Sequence, residues 1–193
     1  MNKPWLEHYP PGIPTEIDPD EFRSVPDLLA KSVVRFAGRP AFHNLGHSLT
    51  YAELDRLSRD FAAFLGSRYA LAVSSCSAAL FLAMKALDLP RGARVLIPAF
   101  TFAAVPSSVL HADCTPVLVE VGQDYRIDLG DFRAKLPGAQ AVLISHMRGH
   151  TSDMDAIMAL AEAAGIPVIE DAAHSLGTTW GGRNIGTIGR IGC

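Results

Sequence analysis

Between residues 69 and 171 the chain alternates short apolar runs with helix-forming stretches, and no other feature limits its fold as much. The runs at 69–73, 94–97, 116–121, 141–145 and 167–170 are rich in Val, Ile, Leu and Ala and are bounded by Gly, Pro, Ser or Asp. Runs of that length and flanking read as buried strands. The stretches between them, 77–87, 101–111, 129–135 and 153–164, read as helices. Pro106 inside the second should kink it or delay its start. Ser152 is placed to cap the last, and Gly165 to end it. Regular strand–helix alternation implies a parallel sheet between helices, a three-layer α/β architecture. In such a sheet ligands sit beyond the carboxyl ends of the strands. Chemistry is therefore expected in the residues that follow each apolar run.

The chain before residue 69 is of a different kind. Pro4, Pro10, Pro11, Pro14, Pro19 and Pro26 all fall within the first 27 residues. Such density disfavours regular helix and predicts an extended arm. A short helix is expected at 27–37, and Gly38, Pro40 and Gly46 mark loops. Thr50-Tyr51-Ala52-Glu53 forms a capping box. It opens an amphipathic helix with Leu54, Leu57, Phe61, Phe64 and Leu65 on one face, ended by Gly66. The expected division is an arm with a short helix over 1–48, then a domain over 49–193.

Composition excludes some functions. Lys and Arg number 17 against 20 Asp and Glu among 193 residues, so no basic excess favours nucleic acid. No apolar run approaches the ~18 residues of a spanning helix, and the amino terminus lacks a signal-peptide core. Three cysteines, Cys76, Cys114 and Cys193, form no C-x-x-C pair. An odd count suits a reducing compartment, and the chain is expected to be cytoplasmic.

Four strand ends carry candidate chemistry. Ser74-Ser75-Cys76-Ser77-Ala78-Ala79-Leu80 puts small residues at a helix start, where free N–H groups and the helix dipole suit a phosphate. The same pattern also serves as an ordinary cap. Pro98-Ala99-Phe100-Thr101-Phe102 offers an aromatic ring that can either lie on a planar ligand or pack in the core. Val168-Ile169-Glu170-Asp171-Ala172-Ala173-His174 delivers a carboxylate to a strand end, with His174 three residues on. An isolated Asp there is as readily a helix cap. His146 and His150, in Ser145-His146-Met147-Arg148-Gly149-His150, have the spacing of a zinc pair, but Gly149 interrupts the helix that would align them and no third ligand is close.

In order and spacing these motifs resemble the sugar aminotransferases of the DegT/DnrJ/EryC1/StrS type, fold-type I pyridoxal phosphate enzymes, from about Leu54 to Cys193. The resemblance implies a pyridoxal phosphate-dependent transferase large domain. It implies that Cys76 and Ser77 replace the Gly and Thr of a phosphate-holding S-G-T, and that Phe102, not Phe100, stacks on the pyridine ring. Asp171 would pair with the ring nitrogen and His174 would contact the cofactor. His146-x-x-Gly149 and Asp153-Met154-Asp155 also match, with Arg148 in place of a commoner aromatic or apolar residue. His146 and Arg148 are the expected substrate-side residues. No metal is implied.

The glycine-rich stretch Gly181-Gly182-Arg183-Asn184-Ile185-Gly186-Thr187-Ile188-Gly189 has the spacing that precedes the family's Schiff-base lysine. No lysine follows Lys135 in this chain. The resemblance thus implies an incomplete large domain, inactive alone, from an enzyme that moves an amino group from glutamate or glutamine to a keto-sugar or cyclitol, as a homodimer. A non-catalytic dimerisation partner of the same fold is the other reading. Residues 47–65 also look like the opening of adenylate-forming enzymes. Gly177-Thr178-Thr179-Trp180-Gly181-Gly182 lacks the lysine those need to hold phosphates.

Overall fold

A computed structural model describes residues 4–16, 18 and 20–193, with only the backbone of Val25 described. The chain divides into two compact units, residues 1–59 and 60–193. In the first, Pro4–His8 forms a single 3-10 turn where an extended arm was expected. Proline is tolerated at a helix start, where its missing N–H costs nothing. Pro19, also assigned to that arm, lies outside the described residues, as does the extreme amino terminus. Helix α1, Val25–Phe36, is capped by Ser24, whose hydroxyl accepts from Asp27 N–H at 3.2 Å. The expected loop around Gly46 is instead a hairpin of β1, Pro40–Asn44, and β2, His47–Thr50. Leu45 (φ 46°) and Gly46 (φ 80°) both take the left-handed conformation that a two-residue hairpin turn requires.

Helix α2, Tyr51–Leu65, starts on the capping box. Thr50 N–H donates to Glu53 Oε2 at 2.9 Å, and Glu53 N–H to Thr50 Oγ1 at 3.2 Å. It ends at Gly66, φ 74°. Leu54 is buried, but Leu57, Phe61 and Phe64 on the same stripe are exposed.

The second unit holds the sheet. Its remaining elements are α3 (Cys76–Ala86), β3 (Arg94–Pro98), α4 (Ala104–His111), β4 (Thr115–Val119), α5 (Leu129–Lys135), β5 (Ala141–Ser145), α6 (Met154–Ala163), β6 (Val168–Asp171), a hairpin of β7 (Thr179–Trp180) and β8 (Arg183–Asn184), and β9 (Ile191–Gly192). The central sheet has the order β4-β3-β5-β6-β9, with every pair parallel. Strand alternation divides the core into two faces. Val95, Ile97, Ala141, Leu143 and Ile169 pack with Leu80, Met84, Val105 and Val109 of α3 and α4. Leu96, Val142, Ile144 and Val168 pack with Phe132 of α5 and Met154, Ile157 and Ala161 of α6. Burying each of the larger of these side chains contributes about 1.5–3 kcal/mol, so the three layers hold one another in place.

The structure corrects two details, the strand at 69–73 and the cap of α6, and bears out the late start of α4. Residues 69–73 form no strand, and Tyr69 and Leu71 are exposed, because no strand among the described residues offers them a ladder. Helix α4 starts late, which leaves Pro106 in its first turn, where the ring is harmless. The cap of α6 is Asp153, whose side chain accepts from Ala156 N–H at 3.0 Å. Ser152 instead accepts from Ile127 N–H. Among the described residues no helix is long and apolar enough to cross a membrane.

Candidate active site

The chain passes from β3 to β4 on one side and from β4 to β5 on the other, so the strand order reverses at β3–β5. A crevice is expected beyond the carboxyl ends at such a point. A cavity of about 240 Å³ lies there, lined by Cys76, Ser77, Phe102, Ser145, His146, Asp171 and His174, among others. These side chains come from the start of α3 and from the ends of β3, β5 and β6. The structure thus brings together six of the seven expected site residues. The seventh, Arg148, is outside the wall.

At the α3 terminus, Ser75 accepts from Ala78 N–H at 3.1 Å. Cys76 and Ser77 N–H groups have no intrahelical acceptor, as in any first turn. Asp171 is 7% exposed and closes the far side. Its Oδ2 accepts from Ser145 Oγ at 2.8 Å, and its Oδ1 from Ala173 N–H at 3.2 Å and from the Cys76 thiol at 3.7 Å. β5 and β6 set this arrangement directly, because Ser145 and Asp171 are paired in register. Burial pushes the Cys76 thiol up to about 11, and the neighbouring Asp171 charge adds to the rise. Cys76 is therefore an inert thiol there, not a nucleophile.

The two expected aromatics separate cleanly. Phe100 packs against Tyr125, with ring centroids 4.8 Å apart. Phe102 stays 63% exposed and lines the cavity. Core packing therefore does not account for Phe102. Arg148 has φ 56°, a left-handed conformation uncommon outside glycine. Its guanidinium lies 5.9 Å above the Tyr125 ring, and its N–H donates to His174 Nδ1 at 3.2 Å. His150 is 5.7 Å from the same ring. No group of three metal-ligating side chains occurs among the described residues.

The residue that sequence reasoning passed over is Glu170. It shares β6 with Asp171 but has the opposite parity, so it points to the α5/α6 face. Its side chain is fully buried. Oε2 accepts from His146 Nε2 at 3.3 Å and Gly186 N–H at 3.0 Å, and Oε1 from Ile188 N–H at 2.7 Å and Gly189 N–H at 2.6 Å. Burial works against its charge, but the four donors outweigh it and hold the carboxyl below its ordinary value. The signal was available: a carboxylate inside an apolar parallel strand must find partners.

A profile of the DegT/DnrJ/EryC1/StrS aminotransferase family matches residues 41–193. The spore coat polysaccharide biosynthesis protein SpsC of Bacillus subtilis (strain 168) is 40% identical over 139 residues, which are 71% of this chain and 36% of SpsC. The aminotransferase from Psychrobacter cryohalolentis superposes with a TM-score of 0.72 at 30% identity, over 93% of this chain and 44% of that one. The putative sugar aminotransferase Spr1654 from Streptococcus pneumoniae, in its PLP form, gives 0.71 at 21% identity, over 86% and 44%, a likeness of fold. The chain thus spans less than half the length of each of these relatives. Its sheet, its motifs in order and the match over 41–193 agree: the chain belongs to the DegT/DnrJ/EryC1/StrS aminotransferase family.

Proposed function

We propose that the chain forms the cofactor-binding part, within residues 49–193, of a pyridoxal phosphate-dependent aminotransferase acting on a keto-sugar nucleotide or cyclitol, with glutamate or glutamine as amino donor. The observation that carries this reading is Asp171. It is a carboxylate fixed by Ser145 and Ala173 at the end of β6, facing one cavity with a helix start and an unpacked aromatic ring. Pyridoxal phosphate supplies an electron sink for breaking and making carbon–nitrogen bonds, provided its ring nitrogen stays protonated.

The residues fit that group. Ser77 and the α3 terminus suit a phosphate, Phe102 has a free face for a ring, and Asp171 would keep a proton on a nitrogen beside it. His174 sits in the same wall, oriented by the Arg148 N–H. Cys76 fills the place of a glycine, and its thiol is turned onto Asp171. On the substrate side the reading keeps His146, part of the wall, and Arg148, at the Tyr125 cluster beside it.

The exposed stripe Leu57, Phe61 and Phe64 supports a homodimer. Three free cysteines support a cytoplasmic setting. No lysine is among the cavity's lining residues, so this chain alone is not expected to transaminate. Equilibrium dialysis of pyridoxal phosphate against the chain and its Asp171→Ala variant tests the reading. Weak saturable binding that the variant loses supports it. Equal isotherms, or a stoichiometric phosphopyridoxyl-lysine after borohydride, overturn it.

A further inference from the structure

Glu170 is fully buried and takes no part in the cavity wall, yet four donors converge on it. Three are backbone N–H groups of one turn, 186–189. That turn is built for close approach. Gly186 has φ 90°, and a Cβ on Gly189 would lie 2.7 Å from the Val168 carbonyl oxygen. Successive N–H groups aimed at one point form an anion-binding nest. Here the anion is a side chain of the strand next door.

The consequence lies just downstream. With the turn drawn onto β6, Arg190 N–H donates to Val168 O, and Ile191 and Gly192 pair in parallel with Ile169 and Glu170. Cys193 N–H then donates to Glu170 O, and Ala172 N–H to Cys193 O, both at 2.8 Å. The chain therefore leaves the turn one residue from Asp171. Cys193 joins Cys76 against the α3/α4 core cluster, on the face that carries the cavity. The fourth donor ties in β5. Since Glu170 can only accept, His146 carries its proton on Nε2.

We propose that Glu170 is a positioning residue for the candidate site: its carboxylate gathers the 186–189 turn and orients His146, and so seats residues 190–193 alongside Asp171. The role in catalysis rests on the aminotransferase reading, because only then does the chain that follows the turn matter to Asp171. The seating itself does not rest on it.

Glu170→Gln separates positioning from general stability. The amide can keep its oxygen toward Ile188 and Gly189 and donate its NH2 to His146 Nε2, which leaves only Gly186 N–H opposed. Site-resolved amide exchange of the 193-residue chain is then expected to quicken about tenfold at Gly186, with Ile188 and Gly189 nearly unchanged. Nitrogen chemical shifts of His146 should move from the Nε2–H to the Nδ1–H tautomer. Where Glu170→Ala fails to fold, the Gln variant still decides. Uniform quickening across the domain, or an unchanged Gly186 and an unchanged His146 tautomer, overturns the proposal. Pyridoxal phosphate is added last. Shifts at Ser77 and Asp171 that weaken in the variant are the result expected for positioning. Equal shifts in both chains overturn it. No shifts in the wild type sink the cofactor reading, while the exchange pattern still decides the seating.

Discussion

Glu170 and Asp171 are neighbours in sequence and opposites in structure. Asp171 faces a cavity, is held by two hydrogen-bond donors and a thiol, and keeps some exposure. Glu170 faces the other side of the same strand, has none, and is held by four donors. Strand periodicity makes the division, since adjacent side chains leave opposite faces. The difference teaches that one strand end can carry a fully buried carboxylate and a cavity-facing one side by side. Surroundings, not residue type, tell them apart. Removing each in turn is the strongest way to break this comparison. Glu170→Ala strands three backbone N–H groups and an imidazole N–H in the interior, each worth about 1–3 kcal/mol. A loss of at least about 4 kcal/mol is expected in urea unfolding. Asp171→Ala borders a cavity that admits water and should cost about 1–2 kcal/mol. Equal losses would erase the distinction.

Acid provides the next test. The Glu170 carboxyl is held below its ordinary 4.5 in the fold, burial being outweighed by the His146, Gly189, Gly186 and Ile188 hydrogen bonds. A group depressed on folding stabilises the fold above its unfolded value, and that contribution fades as pH falls through its folded value. Urea stability of the wild type should therefore decline below about pH 4.5. Glu170→Gln cannot titrate there, so its decline should be shallower. Parallel curves would place the acid-sensitive carboxylate elsewhere.

The same contrast explains what could be read from the sequence. Periodicity gave the layers because apolar runs and helical stretches differ in pattern, and the five-residue run 141–145 became β5 without adjustment. It could not give pairing. Residues 69–73 have strand composition, but a strand needs a neighbour, and none stands beside them among the described residues. Asp171 stood out because a strand-end carboxylate is conspicuous. Glu170, one residue earlier, was conspicuous too, but three of its four partners are backbone groups 16 to 19 positions away, which carry no side-chain signature. Ser152 and Asp153 are both good caps, and only the geometry chose between them.

A smaller effect sharpens the comparison through Cys76. Its thiol stands at about 11 instead of 9.0, chiefly through burial, then through the charge of Asp171 and its hydrogen bond. Asp171→Asn removes the second cause, weakens the third to a bond with a neutral acceptor, and leaves the first. Alkylation of Cys76 near pH 8, followed by peptide mapping, should be a few-fold faster in that variant, because the thiolate is the reactive form. Glu170→Gln acts from across the sheet and should change the Cys76 rate by less than Asp171→Asn does. A response to Glu170 and none to Asp171 would reverse the assignment of the two faces.

The smallest expected change in stability belongs to Phe102. A ring 63% exposed has little apolar area to lose, so Phe102→Ala should alter unfolding free energy by no more than about 0.5 kcal/mol. Phe132, fully buried between sheet and helix α5, sets the scale, and its truncation should cost about 3–5 kcal/mol. On the proposed function, the role of this exposed ring beside the cavity is contact with a ligand. Stacking of that kind is worth about 0.5–1.5 kcal/mol, up to roughly tenfold in affinity. Dialysis with pyridoxal phosphate should show that loss in Phe102→Ala while urea unfolding shows almost none. A variant that melts early but binds as well as the wild type would make Phe102 a packing residue after all, and would leave Asp171 to hold the ring without it.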